Sequence, residues 1–155
     1  PLLKHANKDI KLIIIGANPT VGIKNLGKIP GVTVTGTVPD VRSYVMKSAV
    51  NVAPLNIARG TQNKILESMA MGVPVVTSPQ AAGGVDAEAG EHFLVAATPE
   101  EYAAAILRLM DTGERKKFSI AGRERVISNH DWEASMKRMD DLLGLCIEKF
   151  RARSL

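Results

Sequence analysis

Short runs that are apolar on both faces alternate along this chain with stretches of helical period, and that rhythm limits the possible folds more than any other feature. The runs are KLIIIG (11–16), VTVTG (32–36), AVNVAP (49–54), VPVVTS (73–78) and HFLVAA (92–97). A strand with one wet face alternates apolar with polar residues. Most of these runs do not, as expected of strands covered by helices on both sides. The intervals between them leave room for one crossover each, which parallel pairing requires. The expected fold class is therefore α/β, a three-layer Rossmann-like parallel sheet. Strands are predicted near 11–15, 32–36, 49–53, 73–77 and 92–96.

Helices are expected over DVRSYVMKSA (40–49), over TQNKILESMAMG (61–72) and from Thr98 onward. Thr98 and Glu101 have the spacing of a capping box, with Pro99 in the first turn. Tyr102, Ile106, Leu109 and Met110 then form one apolar stripe, and Gly113 should end the helix. The remaining third carries no strand signal and should be a helical C-terminus. Asp131 is a plausible N-cap for a long final helix, on which Trp132, Met136, Met139 and Leu143 recur at helical spacing. Trp132 is read as a packing anchor and Cys146 as a packing residue.

The 155 residues are 45% hydrophobic and 23% charged, the profile of a single ordinary domain. A chain of this length buries roughly two-thirds of its unfolded surface and needs no staple. One cysteine excludes an internal disulfide, and His5, His92 and His130 are scattered, so no metal site is expected. No apolar run reaches the length of a membrane span and nothing resembles a signal peptide, which points to the cytoplasm. The opening PLLKHANKDIKLIIIG lacks an initiator Met and reads as the tail of a helix entering a strand, the mark of a piece of a longer protein.

Charge is uneven. Residues 1–64 carry nine Lys/Arg against two Asp/Glu, whereas residues 65–110 carry one against six. A basic first half fits an anionic partner or simply a solvated basic face. Nucleic acid is disfavoured, because aromatic residues are 4% of the chain and no zinc-finger spacing or long basic helix occurs.

In an open parallel sheet, ligands bind beyond the carboxyl ends of the strands. Three loops lie there: GANPT, GTVPD and APLNIARGTQNK. In the third, Arg59 and Lys64 flank Gly60 and Thr61 where a helix starts, so free N–H groups, the positive helix end and two cations converge. Glu67 lies one turn beyond Lys64, where a carboxylate can accept hydrogen bonds from ribose hydroxyls. The same residues also fit a plain Lys64–Glu67 surface pair and a turn glycine, and spacing alone leaves both readings open. The glycine pair in SPQAAGGVDAE reads as a flexible turn without a ligand. His92 reads as structural or exposed.

From about residue 8 to residue 143 the chain resembles the C-terminal, nucleotide-sugar-binding half of retaining glycosyltransferases of the GT-B fold. The group is the glycogen-synthase-like group 1 family that builds bacterial polysaccharides. The residues carrying the resemblance are KLIIIGANP, VTVTGTVPDV, NVAPL, GTQNKILESMAMGVPVVTSP, HFLVAATPEEYAAAILRLMD and HDWEASM. KILESMAMGVPVV is similar to the variant, with Lys before Glu, of exopolysaccharide and capsule members.

The resemblance implies that Glu67 bonds the donor ribose and that Gly60, Thr61 and Gln62 hold the diphosphate. It implies that Val38, beside Thr37, recognises the base, and that Lys64 neutralises leaving-group charge. Gly16 and Arg59 would border the same site. The donor would be a nucleoside-diphosphate sugar and no metal or other cofactor is implied. Many members have a further glutamate where Arg59 stands. An arginine cannot accept hydrogen bonds or balance charge as that residue would. The family's first strand of this half, with its Gly-Arg loop, and the entire N-terminal acceptor domain should precede Pro1. A full-length protein of this kind would act on a polysaccharide or glycolipid acceptor and can associate peripherally with a membrane. The alternative is a non-catalytic nucleotide-binding or interaction module on the same scaffold.

Overall fold

The computed structural model describes residues 1–6 and 9–153. In chain order the elements are α1 (Leu2–Ala6), β1 (Leu12–Ile15), α2 (Val21–Leu26), β2 (Val32–Gly36), α3 (Arg42–Val45) and β3 (Asn51–Ala53). They continue with α4 (Asn63–Ala70), β4 (Val75–Thr77), α5 (Pro79–Ala82), β5 (Leu94–Val95), α6 (Pro99–Met110), α7 (Thr112–Asn129) and α8 (Trp132–Arg153). All five predicted strands form, each within its expected range, and every ladder is parallel. They do not form one sheet. Among the described residues β1 pairs only with β2, and β3, β4 and β5 form a second sheet in that order.

The layers follow from alternation along β4. Val75 joins a cluster with Ile65, Leu66 and Met69 of α4 and with Phe93. Its neighbour Val76 joins a cluster with Leu94, Leu109 of α6 and Phe118 of α7. Successive side chains of a strand point to opposite faces, so α4 covers one face of this sheet and α6 the other. The α7 helix serves both, placing Phe118 in one cluster and Val126 in the other. This is the expected α/β Rossmann-like architecture, with parallel strands and flanking helices.

Ser68 and Thr77, both buried, are paired as a dry interior demands, whereas the buried Tyr102 hydroxyl has no hydrogen-bond partner among the described residues. The Ser68 hydroxyl donates to the Lys64 carbonyl (2.8 Å) and accepts from the Asn51 side-chain amide (2.6 Å). Thr77 Oγ1 donates to the Ala53 carbonyl at 3.0 Å. The predicted capping box is complete: Glu101 N donates to Thr98 Oγ1, and Glu101 Oε2 accepts from Thr98 N.

Four expectations need correction. The helix expected over 40–49 shrinks to the four residues Arg42–Val45. Gly113 does not end α6. Asp111 does, with extended backbone, and its carboxylate accepts from Gly113 N and Glu114 N to start α7, inside which Gly113 lies. Trp132 is no packing anchor, being 76% exposed. Cys146 is likewise exposed. Both sit on α8, whose described side chains are all exposed except that of Ser135, which is half-buried. Among the described residues no helix is long and apolar enough to cross a membrane.

Candidate functional site

The loop from Pro54 to Gln62 leaves β3 and delivers the chain to α4. Ser78, at the end of β4, holds its beginning: Ser78 Oγ donates to the Leu55 carbonyl at 2.6 Å and accepts from Ala81 N at 3.3 Å, so it also caps α5. Gly60 turns the loop with φ +66°, a left-handed conformation that side chains resist. Gln62 then fixes the turn from both ends. Its Nε2 donates to the Gly60 carbonyl (2.9 Å), and its backbone N donates to the Gly84 carbonyl (3.2 Å).

No side chain caps α4. At the positive end of the helix dipole Asn63 N and Ile65 N are already engaged, donating to the Thr61 carbonyl (3.2 Å) and the Gln62 carbonyl (2.9 Å), which leaves the Thr61 and Lys64 N–H groups for a ligand. Gln62 is the exception among the predicted donors, since its N–H and its side-chain amide are already engaged within the loop. Thr61, Lys64 and Glu67 are all exposed. Lys64 and Glu67 form no ion pair with each other, so the surface-pair alternative is not what the structure shows. The opposite side of α4 buries Ile65, Leu66, Ser68 and Met69, which fixes the direction in which Lys64 and Glu67 point outward.

Beside this helix start lies a cleft of about 500 Å³, bordered by Gly60, Thr61, Gly83, Gly84 and Asp86. Of the glycine pair, Gly84 is thus more than a flexible turn, whereas a Cβ on Gly83 would meet nothing within 4 Å. A Cβ on Gly84 would fall well inside contact distance of the Gly60 carbonyl oxygen and would also crowd the Gln62 side chain. Only a residue without a side chain lets the two loops meet.

Asp86, which sequence reasoning did not single out, anchors the far wall of the cleft. Its carboxylate accepts from Asn129 Nδ2 (2.9 Å) and from an Arg125 terminal nitrogen (3.0 Å), while Arg125 Nε donates to the Asp86 carbonyl (3.0 Å). The Asn129 amide first, and then Arg125, hold the Asp86 carboxyl below the usual carboxylate range.

The remaining predicted residues lie on the other sheet. Gly16 follows β1 and is exposed; Thr37 (exposed) and Val38 (half-buried) follow β2. Both loops are therefore at strand carboxyl ends, as expected. Asp40, next in the second loop, accepts from the Arg42 backbone (2.9 Å) and guanidinium (3.0 Å), and those bonds lower its carboxyl pKa. Among the described residues no hydrogen bond or ion pair links the loops after β1 and β2 to the 59–67 segment. The structure brings together Arg59, Gly60, Thr61, Gln62, Lys64 and Glu67 on one stretch of chain, and Gly16, Thr37 and Val38 on a separate sheet. His92 is structural, its Nδ1 accepting from Glu88 N at 3.0 Å. Among the described residues no group of three or more His, Cys, Asp or Glu side chains is placed to hold a metal ion.

Residues 1–112 match the family model of glycosyl transferases group 1, which is well over half of the chain. The chain belongs to that family. No curated protein matches it. Solved structures similar to it include HepE of Anabaena in complex with UDP (TM-score 0.76, 16% identity), with 92% of this chain and 43% of that one covered. Another is the sucrose-phosphate synthase of Thermosynechococcus elongatus (TM-score 0.73, 24% identity), covering 90% of this chain and 39% of that one. A third is the C-terminal domain of LpcC of Francisella tularensis, a group 1 family glycosyl transferase (TM-score 0.69, 17% identity), with 84% and 75% covered. The chain thus spans less than half the length of the first two. At these identities the likeness establishes the fold, a GT-B half-domain.

Proposed function

We propose that this group 1 domain, residues 1–155, is the donor-binding half of a retaining glycosyltransferase of the exopolysaccharide or capsule type. The complete cytoplasmic enzyme would add an acceptor-binding domain, with peripheral membrane association, and would transfer a sugar from a nucleoside-diphosphate sugar to a polysaccharide or glycolipid. The observation that carries the reading is the start of α4. An uncapped helix end, Lys64 and Glu67 share one exposed side, beside a cleft whose loops meet at Gly84, where no side chain fits. The UDP in the HepE structure supports a nucleotide as the ligand class.

In such a transfer the bond between the anomeric carbon and the diphosphate breaks with its electron pair leaving on phosphate, while an acceptor hydroxyl bonds to that carbon with loss of its proton. The transition state is oxocarbenium-like and negative charge grows on the departing diphosphate. The N–H groups of Thr61 and Lys64, together with the Lys64 ammonium, answer that charge, as preorganised donors do at low reorganisation cost. This design calls for no metal. Glu67 accepts from the ribose hydroxyls. Thr37 and Val38 take the base, with Gly16 and Arg59 at the margins. Without an acceptor held near the anomeric carbon the chain by itself transfers nothing, since that positioning supplies several kcal/mol of barrier lowering.

The test is an NMR titration of the labelled chain with UDP, GDP and ADP. Shift changes should cluster at 37–39 and 60–67 and disappear in Glu67→Ala. Changes elsewhere, or binding indifferent to that substitution, would instead favour a scaffold with another ligand.

A further inference from the structure

The far end of the cleft is held by α7, a helix that carries none of the proposed ligand contacts itself. Arg125 and Asn129 lie on the last turns of α7 and converge on Asp86, some forty residues earlier in the chain, with three hydrogen bonds of 2.9–3.0 Å. Two of these reach the carboxylate and one reaches the Asp86 backbone carbonyl, so the attachment grips main chain as well as side chain. The neighbouring Val85 is buried in the cluster that contains Ile65 and Leu66 of α4. One residue earlier, the Gly84 carbonyl accepts from Gln62 N, the residue on which α4 begins. The same helix also holds the other end of α4. Ser119 Oγ donates to the Gly72 carbonyl at 2.6 Å, and the Arg123 guanidinium donates to the Ala70 carbonyl.

We propose that Asp86 is a positioning residue for the phosphate-binding start of α4. Held by Arg125 and Asn129, it fixes the 83–86 segment so that the Gly84 carbonyl sets the orientation of Gln62 and of the first helical turn. The inference rests on the donor-site reading and adds a residue set to it. Asp86 itself need not touch the nucleotide. Its effect passes through Gly84, which approaches Gly60 so closely that no side chain fits between them. A wall of the cleft that drifted by a fraction of an ångström would misalign every N–H donor behind it, and aligned donors are what such a site relies on.

The experiment uses the whole chain with UDP as probe. Asp86→Ala should weaken UDP binding about tenfold, with the melting midpoint within error of the parent, and Asp86→Asn, which keeps one acceptor oxygen, should lose less. Asn129→Ala combined with Asp86→Ala should be no worse than Asp86→Ala alone, because both act through one link. In the free protein the Gln62 amide should exchange its hydrogen at least tenfold faster in Asp86→Ala, while amides of β4 stay unchanged. Unaltered Gln62 exchange overturns the proposal, as does unaltered UDP affinity with faster exchange. If the parent chain binds no UDP, the donor-site reading fails by itself, and Gln62 exchange still decides whether Asp86 orders the helix start. A drop in melting midpoint that accounts for the whole affinity loss would make Asp86 a stability residue and also overturn the proposal.

Discussion

Asp86 also makes a prediction about pH. Its folded-state pKa lies below the ordinary carboxylate range, chiefly because Asn129 donates to the ionised form and then because Arg125 does. A depressed carboxylate contributes its stabilisation above its unfolded pKa and loses it as pH falls through the folded value. The link between α7 and the cleft should therefore be constant from neutrality down through pH 5 and come apart only in stronger acid. Carboxyl-carbon NMR of Asp86 checks this: a midpoint at or above the ordinary carboxylate value of 3.8 would refute it. The sequence could not point to this residue, because its partners lie some forty positions away on a stretch read only as helical. Lys64 and Glu67 were readable because everything that places them, a glycine turn and one helical period, is local. Ser78 sat in the sequence as the last residue of an apolar run, and only the fold shows its hydroxyl tying the 54–62 loop to β4. Trp132 and Cys146 were misread for the opposite reason: apolar residues at helical spacing imply a covering surface, and here no described residue supplies one.

Each strand was readable from its apolar run, and every strand but β2 is shorter than that run. What the sequence hides is which strands join, since a ladder between distant runs leaves no mark on either. Apolar β1 and β3 look alike as sequence, but no ladder connects their sheets. The helix over 40–49 failed because Asp40 and Arg42 close a local turn on each other at 3.0 Å, and only four residues follow in helical geometry. Capping was the most transferable signal. The Thr98–Glu101 box satisfies two backbone donors and launches α6, whose Leu109 is wholly buried beneath Phe118 and Leu94. Thr98→Ala should cost about 1 kcal/mol, the usual effect of deleting an N-cap side chain. Urea melts read by circular dichroism give the answer, and a change under about 0.3 kcal/mol, below the usual cap range of about 0.5–2 kcal/mol, would mean that packing alone sets where α6 begins.

Seen whole, the molecule is firm in its middle and lightly held at both ends. The buried residues run from Ala53 to Val126. Beyond them α8 projects with Leu142 and Leu143 more than half exposed, an apolar surface that favours self-association. Deleting residues 131–155 should leave the melting midpoint nearly unchanged and reduce concentration-dependent association in sedimentation. A large loss of stability would show that α8 packs against the body. At the other end, none of the described residues before position 51 is buried, and β1 and β2 form a two-stranded sheet of a kind that is marginal in isolation. Trypsin should accordingly cut at the exposed Lys24 and Lys28 well before anything between 53 and 126, and saturating UDP should slow those cuts. Equal resistance in both regions would refute the division. If it holds, the two halves of the proposed site differ in rigidity, the base loop being carried on yielding ground and the phosphate end on a fixed core. A nucleotide then acts as a strap buckled at one end only, and its measured affinity falls short of the intrinsic one by the fraction of time the loose third is in place to receive the base.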